Sequence, residues 1–213
     1  MRLFPYITLI VFLLQLSSCG DNNEDFKPNP KSVMTDVRDG KTYSIVKIGN
    51  QWWMAENLNI GYYIQSSSEP SDNARYEKYA YGNDTTLFHT YGGLYTWDEA
   101  MQYAGVESAR GICPDGWHLP SVKEWEDLLQ LYPRCPELRV NGSSGFECLM
   151  AGAKTSMSFS GMGEFSGFWT STEYSSNIAY YYFVNESRSE VLKNMEMKTT
   201  GLSVRCVSDS VVP

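Results

Sequence analysis

Gly111-Ile112-Cys113-Pro114-Asp115-Gly116-Trp117-His118-Leu119-Pro120-Ser121, followed by Glu124-Trp125, is the stretch on which the reading of this chain turns. Ser121 and Glu124 have the spacing of a capping box, in which each side chain satisfies the other residue's backbone N–H at the start of a helix. Trp125, Leu128, Leu129 and Tyr132 then fall at i, i+3, i+4 and i+7, one face of that helix. Pro133 closes it, because proline lacks the N–H that the next turn needs. Upstream the pattern repeats. Thr96 and Glu99 form a second capping box, and Trp97, Ala100, Met101 and Ala104 mark one face of a second short helix.

Outward from the helices the period changes. Lys41 to Ile48 alternates around Tyr43, Ile45, Val46 and Ile48 and reads as a strand. Gly49-Asn50 is a turn signal, and Gln51 to Glu56 reads as the returning strand of a hairpin. Asn59 to His89 is polar, rich in Tyr and irregular, so a long loop is expected there. Residues 134 to 167 hold two Gly/Ser-rich stretches and read as loop. Strands are expected over 168–171, 179–185, 189–193 and 202–207. Two helices followed by a strand-rich end indicate a single α+β domain over residues 36–208, with a short tail at 209–213.

The chain has 213 residues, 42% of them hydrophobic, enough for one domain with a sizeable core. Its net charge is −8, which gives no basic footprint and excludes nucleic acid as a partner. Six Trp, fifteen Tyr and nine Phe suit packing on sheets, and also a carbohydrate-binding surface. Packing is the commoner use.

The N-terminus is an export signal. Arg2 precedes an apolar run from Leu3 to Leu14, too short for a comfortable membrane span. Leu16-Ser17-Ser18-Cys19 resembles the lipobox of bacterial lipoproteins. That resemblance implies a signal peptide over 1–18, acyl chains on Cys19 and anchoring in the outer membrane. Gly20-Asp21-Asn22-Asn23-Glu24-Asp25 is similar to the export tag of surface lipoproteins in Bacteroidetes, or is simply a solvated tether. Residues 19–35 read as a lipidated flexible spacer.

Four further cysteines remain, Cys113, Cys135, Cys148 and Cys206. An even number in an exported chain suggests two disulfides, for which three connectivities exist. The spacings match no zinc site. The expected pairs are Cys113–Cys206 and Cys135–Cys148, the second stapling the flexible Asn141-Gly142-Ser143-Ser144-Gly145 segment.

Five segments carry a family resemblance. They are Ile48 to Leu58, Tyr91 to Trp97, Gly111 to Trp125, Gly167 to Tyr174 and Gly201 to Val207. Together, in this order, they resemble the Fibrobacter succinogenes major paralogous domain, found in exported proteins of Fibrobacter and Bacteroidetes. The likeness runs from about Thr35 to Val207. That family is more distantly similar to the C-type lectin-like fold, which includes formylglycine-generating-enzyme-type domains. The resemblance implies two short helices, a small antiparallel sheet, long loops, and a staple from a Cys before the second helix to one in the last strand.

Candidate chemistry is sparse. His118 reads as a residue whose ring hydrogen-bonds backbone at the helix start rather than as a base, and His89 as incidental. Of Trp52 and Trp53, one belongs to the core, while the other could lie exposed or under the long loop. Glu56-Asn57 read as a turn cap, and Glu124, Glu126 and Asp127 as a solvated helix face. Glu69-Pro70-Ser71 departs from the calcium-site motif of sugar-binding lectins, and the cysteines fit staples better than the copper pair of formylglycine-generating enzymes. No phosphate loop, nucleophile elbow or zinc-protease motif occurs. The expectation is a protein with no catalytic residue, metal or cofactor, anchored to the membrane through Cys19, whose partner is a glycan or an envelope protein. An enzyme or accessory protein acting on polysaccharide, and a structural part of a surface assembly, are the alternatives. The expected ligand surface is the loop-rich half, residues 134–183, with Tyr174, Tyr180, Tyr181 and Tyr182.

Overall fold

The hairpin around Gly49-Asn50 forms as read. Strands β2 (Thr42–Ile48) and β3 (Gln51–Met54) pair antiparallel, with Ile48 opposite Gln51. Gly49 supplies the positive φ, 60°, of the tight turn. The computed structural model describes residues 29–210 apart from Met157; the signal, Cys19 and the acidic stretch lie outside the described residues.

The spacer is shorter than its composition suggests. Lys31–Thr35 is a strand, β1, paired antiparallel with β2, with Lys31 opposite Val46. Asn29 already docks, donating to Tyr132 Oη at 2.9 Å and to the Ser144 carbonyl at 2.8 Å. Only Met34 of β1 is buried, so no alternating pattern betrays the strand. Backbone pairing holds it, and composition does not report backbone pairing. A fourth strand, β11 (Val207–Ser208), adds to β3 and completes a sheet in the order β1-β2-β3-β11.

The long loop carries only fragments of regular structure. Strands β4 (Tyr62–Tyr63) and β5 (Glu77–Lys78) pair in parallel, and α1 (Phe88–Tyr91) is a single turn. Helix α2 (Trp97–Met101) is capped by Thr96, and α3 (Val122–Leu131) by the full Ser121/Glu124 capping box. A further turn, α4 (Cys135–Leu138), was not expected.

The second sheet has the order β10-β9-β8-β6-β7. It comprises β6 (Ala151–Thr155), β7 (Ser158–Met162), β8 (Phe165–Ser175), β9 (Ile178–Asn185) and β10 (Leu192–Met197). The β6–β7 hairpin lies in the region read as loop, because its Gly, Ser and small residues hide the strand period. The sheet is mixed, since β6 meets β8 in parallel through Gly152 and Ser166. Residues 202–206, expected as a strand, contribute bridges instead, Leu202 to Tyr95 and Ser203 to Phe168. The α+β class stands, with three sheets among the described residues, one of them the two-stranded β4–β5 pair, and more helical turns than the small-sheet, two-helix expectation.

Successive residues of β8 and β9 point to opposite faces, and each face closes a core. Trp169 and Ala179 join Tyr43, Ile45, Met54, Trp97 and Trp117 on one side. Phe168, Tyr182 and Val184 join Trp53, Trp125, Leu128 and Phe146 on the other. Trp125 of α3 stacks on Tyr182 with ring centroids 4.8 Å apart. Arg205 crosses this second core fully buried. Its Nε donates to Asn57 Oδ1 at 2.8 Å, Nη1 to the carbonyls of Met54 and Phe146, and Nη2 to that of Glu147 at 3.0 Å. The guanidinium lies over the Phe146 ring at 4.3 Å. Burial lowers its pKa to about 10, so it stays charged at neutral pH without a bonded carboxylate.

Candidate functional site

The segment that decides the fold is fully spent on structure. His118 exchanges backbone hydrogen bonds with Val207. Its ring meets the Glu124 carboxylate, Nε2 to Oε1 at 2.7 Å, rather than a backbone group as expected. Gln51 Nε2 donates to the same oxygen, and Ser121 N–H to Oε2 at 2.7 Å. Glu124 is therefore not solvated face. Burial works against its charge, but the His118 and Ser121 bonds win and hold its pKa at about 2. The same hydrogen bond raises the His118 pKa against its burial. Glu126 and Asp127 do point outward, pairing with Lys193 and Lys123.

Cys113 and Cys206 form the expected disulfide, with Cα atoms 5.9 Å apart. The second expected disulfide is a correction: Cys135 and Cys148 are free and buried. Their thiols turn to different acceptors. Cys135 Sγ bonds the Glu190 carbonyl at 3.0 Å, and Cys148 Sγ faces the Leu149 carbonyl. Burial pushes the Cys148 thiol up to about 12 and raises that of Cys135, so both are inert at neutral pH.

The four tyrosines of the expected ligand surface separate. Tyr182 is corrected to the core, 1% exposed beneath α3. Tyr181 is half-buried, its ring edge-on to Trp169. Tyr174 is exposed and Tyr180 half-buried, the two rings edge to face at 5.6 Å. Alternation along β9 puts Tyr181 against the first core and Tyr180 and Tyr182 on the other face, where α3 covers Tyr182. Trp53 is core, and Trp52 is half-buried against the first core rather than an open platform. Glu56 caps as read, Oε1 accepting the Ser44 N–H. No group of three or more potential metal ligands exists among the described residues, and no helix among them is long and apolar enough to cross a membrane.

A cleft of about 400 Å³ opens elsewhere, between the long loop and the start of α2. Glu69, Asp98, Tyr103 and Lys198 line it, with the hydroxyls of Thr96, Ser156 and Thr199. Helix α2 stops one turn earlier than its apolar spacing predicts. Gln102 and Tyr103 both take left-handed backbone, φ 50° and 57°, where neither has the freedom of glycine. Two consecutive residues in this region store strain, which is found most often at binding and catalytic sites. Here it turns the Tyr103 ring into the cleft, and the hydroxyl is fixed by donation to the buried Glu99 Oε1 at 3.0 Å.

Across the cleft, the Asp98 carboxylate has no hydrogen bond or ion pair among the described residues. Burial raises its pKa, with Lys198 opposing and Glu173 assisting. Lys198 is committed elsewhere, bonded to Glu173 and lying 4.0 Å over the Trp97 ring. Glu69 is held by Lys154, itself buried, at 3.3 Å. The cleft thus presents one open acceptor, several hydroxyls, ammonium groups already neutralised and one ring face. Sequence reasoning missed Asp98 and Tyr103 because the periodicity carried the helix through both, as far as Ala104.

A family model, the Fibrobacter succinogenes major domain, matches residues 46–208. No curated protein and no solved structure matches the chain. The match takes in the second core, most of the first, the disulfide and the cleft, and leaves out β1 and the first half of β2, with Met34, Tyr43 and Ile45 of the first core. By that match, over well more than half of its length, the chain belongs to the Fibrobacter succinogenes major domain family.

Proposed function

We propose that this chain is a lipid-anchored envelope protein that binds a glycan without transforming it, in the cleft lined by Asp98 and Tyr103. The observation that carries the reading is the strained presentation of Tyr103 beside an unpaired Asp98 carboxylate. A sugar offers hydroxyl donors on its rim and C–H groups on its face. An open carboxylate accepts the former, and a fixed tyrosine ring packs against the latter. The cleft volume admits one or two sugar residues. Because its lysines are already matched by acids and Asp98 is not, an uncharged or amino sugar fits it better than an acidic one.

The lectin-like fold belongs to this proposal. The Cys113–Cys206 link ties the segment before α3 to the chain's end, in keeping with the long-range staple which that fold implies. Anchoring rests on Leu16-Ser17-Ser18-Cys19. Residues 20–30, between Cys19 and β1, reach at most roughly 40 Å when extended, so the domain stands close to its membrane.

Two experiments test the reading. A glycan panel of plant, host and bacterial origin, probed with the purified protein, is expected to give hits among neutral or amino sugars. Silence across the panel would overturn sugar binding. Cys19→Ser is expected to release the protein from the membrane fraction, and full retention would overturn the anchor.

A further inference from the structure

A second cleft, of about 490 Å³, lies on the other side of the loop segment 69–76, lined by Arg38, Lys41, Tyr62, Arg75 and Tyr76 with Asp39. We propose that it binds a small oxyanion, the carboxylate or phosphate group of a ring-bearing ligand, through Arg75. The cations of this cleft are not equivalent. Arg38 is fully engaged, its Nε and Nη2 on the Asp36 carboxylate and Nη1 on the Ile112 carbonyl. It forms a fixed wall, with its guanidinium 5.1 Å over the Tyr76 ring. Arg75 is exposed, and its guanidinium has no hydrogen-bond or ion-pair partner among the described residues; it lies 5.8 Å over the ring of Tyr62. All its donors are therefore available to a ligand, in the planar fork that suits an oxyanion.

The surrounding field supports this assignment. Lys41 and the buried Lys78 both donate to one oxygen, the Asn59 carbonyl, at 2.5 and 2.9 Å. Only Asp39, 3.0 Å from Lys41, balances them. Burial lowers the Lys78 pKa to about 7, and the neighbouring Lys41 adds to the shift. In a chain of net charge −8 a local cluster of cations draws anions toward it. The walls are shaped for it. Gly61 and Ala74 line the cleft with positive φ, and a Cβ at Gly61 would lie 2.3 Å from the Tyr76 carbonyl oxygen. The exposed ring of Tyr62 and the half-buried ring of Tyr76 give a ligand ring something to stack on.

The test follows the Arg75 Nε–H resonance of the full chain by nitrogen-edited NMR at low salt. The probes are glucuronate, inorganic phosphate and uncharged glucose. Glucuronate, phosphate or both are expected to shift the resonance saturably, and glucose is not. A response to glucuronate alone identifies a carboxylate ligand, and one to phosphate alone a phosphoryl ligand. Arg75→Ala is expected to weaken binding of the active anion about tenfold or more, the loss of a charge-assisted pair. Arg75→Lys should restore part of it, as a point charge without the fork. Unchanged thermal melting would show that both variants fold. The proposal is overturned if neither anion moves the resonance up to roughly 10 mM, if glucose moves it equally, or if Arg75→Ala binds like wild type. The neutral-sugar cleft is read by other residues, so either assignment can fail without the other.

Discussion

Arg205 and Arg75 carry the same side chain into opposite situations. Arg205 is buried at the centre of the second core, with its guanidinium donors directed at three carbonyls and an amide. Arg75 stands on the long loop with its donors free. The contrast extends to the regions around them. In the body of the domain the polar groups at the start of α3 are matched, His118 to Glu124 and Glu124 to Ser121, and Trp97 Nε1 donates to Thr170; the buried Trp125 Nε1, packed among aromatic rings, has no partner among the described residues. On the loop and its borders Asp98 and Arg75 are left open, and the backbone of Gln102 and Tyr103 is strained. Groups that have spent their bonding capacity hold the fold, and groups that have kept it are free to meet a ligand.

The sharpest way to break this comparison is to remove Arg205. Arg205→Met strands several buried acceptors at about 1–3 kcal/mol each, so a loss of about 3 kcal/mol or more is expected. Urea denaturation would measure it, and a change below about 1 kcal/mol would mean that Arg205 does not tie the core together. Next comes the disulfide. Cys113 and Cys206 are separated by 93 residues, and a loop of that size is worth about 4.7 kcal/mol in the denatured-chain account. Thermal melts with and without reductant should show the loss.

Glu124→Ala is expected to cost about 1–2 kcal/mol, since it removes the capping-box acceptor and the His118 pair together. The sign of its pH dependence is fixed by the two shifts. Glu124 titrates at about 2 in the fold against 4.5 ordinarily, so its contribution is present above pH 4.5 and fades as pH falls toward 2. His118 is raised above 6.5, so its contribution is complete below 6.5 and lost as pH rises through the folded value. Stability from the pair therefore peaks between these limits, and the variant should flatten both flanks. Smallest of all, Arg75→Ala should change stability by no more than about 0.5 kcal/mol, as for an exposed side chain with no partner. A larger loss would show that Arg75 belongs to the scaffold.

The fold was legible where local rules act alone. The Thr96 cap, the Ser121/Glu124 capping box and the turn at Gly49-Asn50 placed two helices and a hairpin, although the Glu99 carboxylate turns to the Glu77 N–H and not back to Thr96. It was illegible where tertiary contacts decide. β1 forms because β2 offers it a backbone edge, and β6 and β7 form from small residues with no period to read. The Cys135–Cys148 expectation failed for a related reason: sequence spacing counts residues, whereas the thiol of Cys135 is oriented by Glu190, a residue from another part of the chain. The site was hidden further. Asp98 and Tyr103 sit inside an apolar pattern that continues past the point where the backbone leaves the helix. Arg75 is one charge in a polar loop until Arg38 and Tyr62 are brought beside it.

The central claim, that the open carboxylate and the strained tyrosine are a sugar site, has one direct measurement. It is a titration of the purified protein with the best neutral or amino sugar from the panel, followed residue by residue by NMR, in wild type, Asp98→Asn and Tyr103→Ala. The prediction is that the largest shifts cluster on Asp98, Tyr103, Thr199 and Lys198, and that each variant weakens binding about tenfold or more while still melting cooperatively. Shifts centred instead on Tyr174 and Tyr180, or binding that survives both variants, would contradict it.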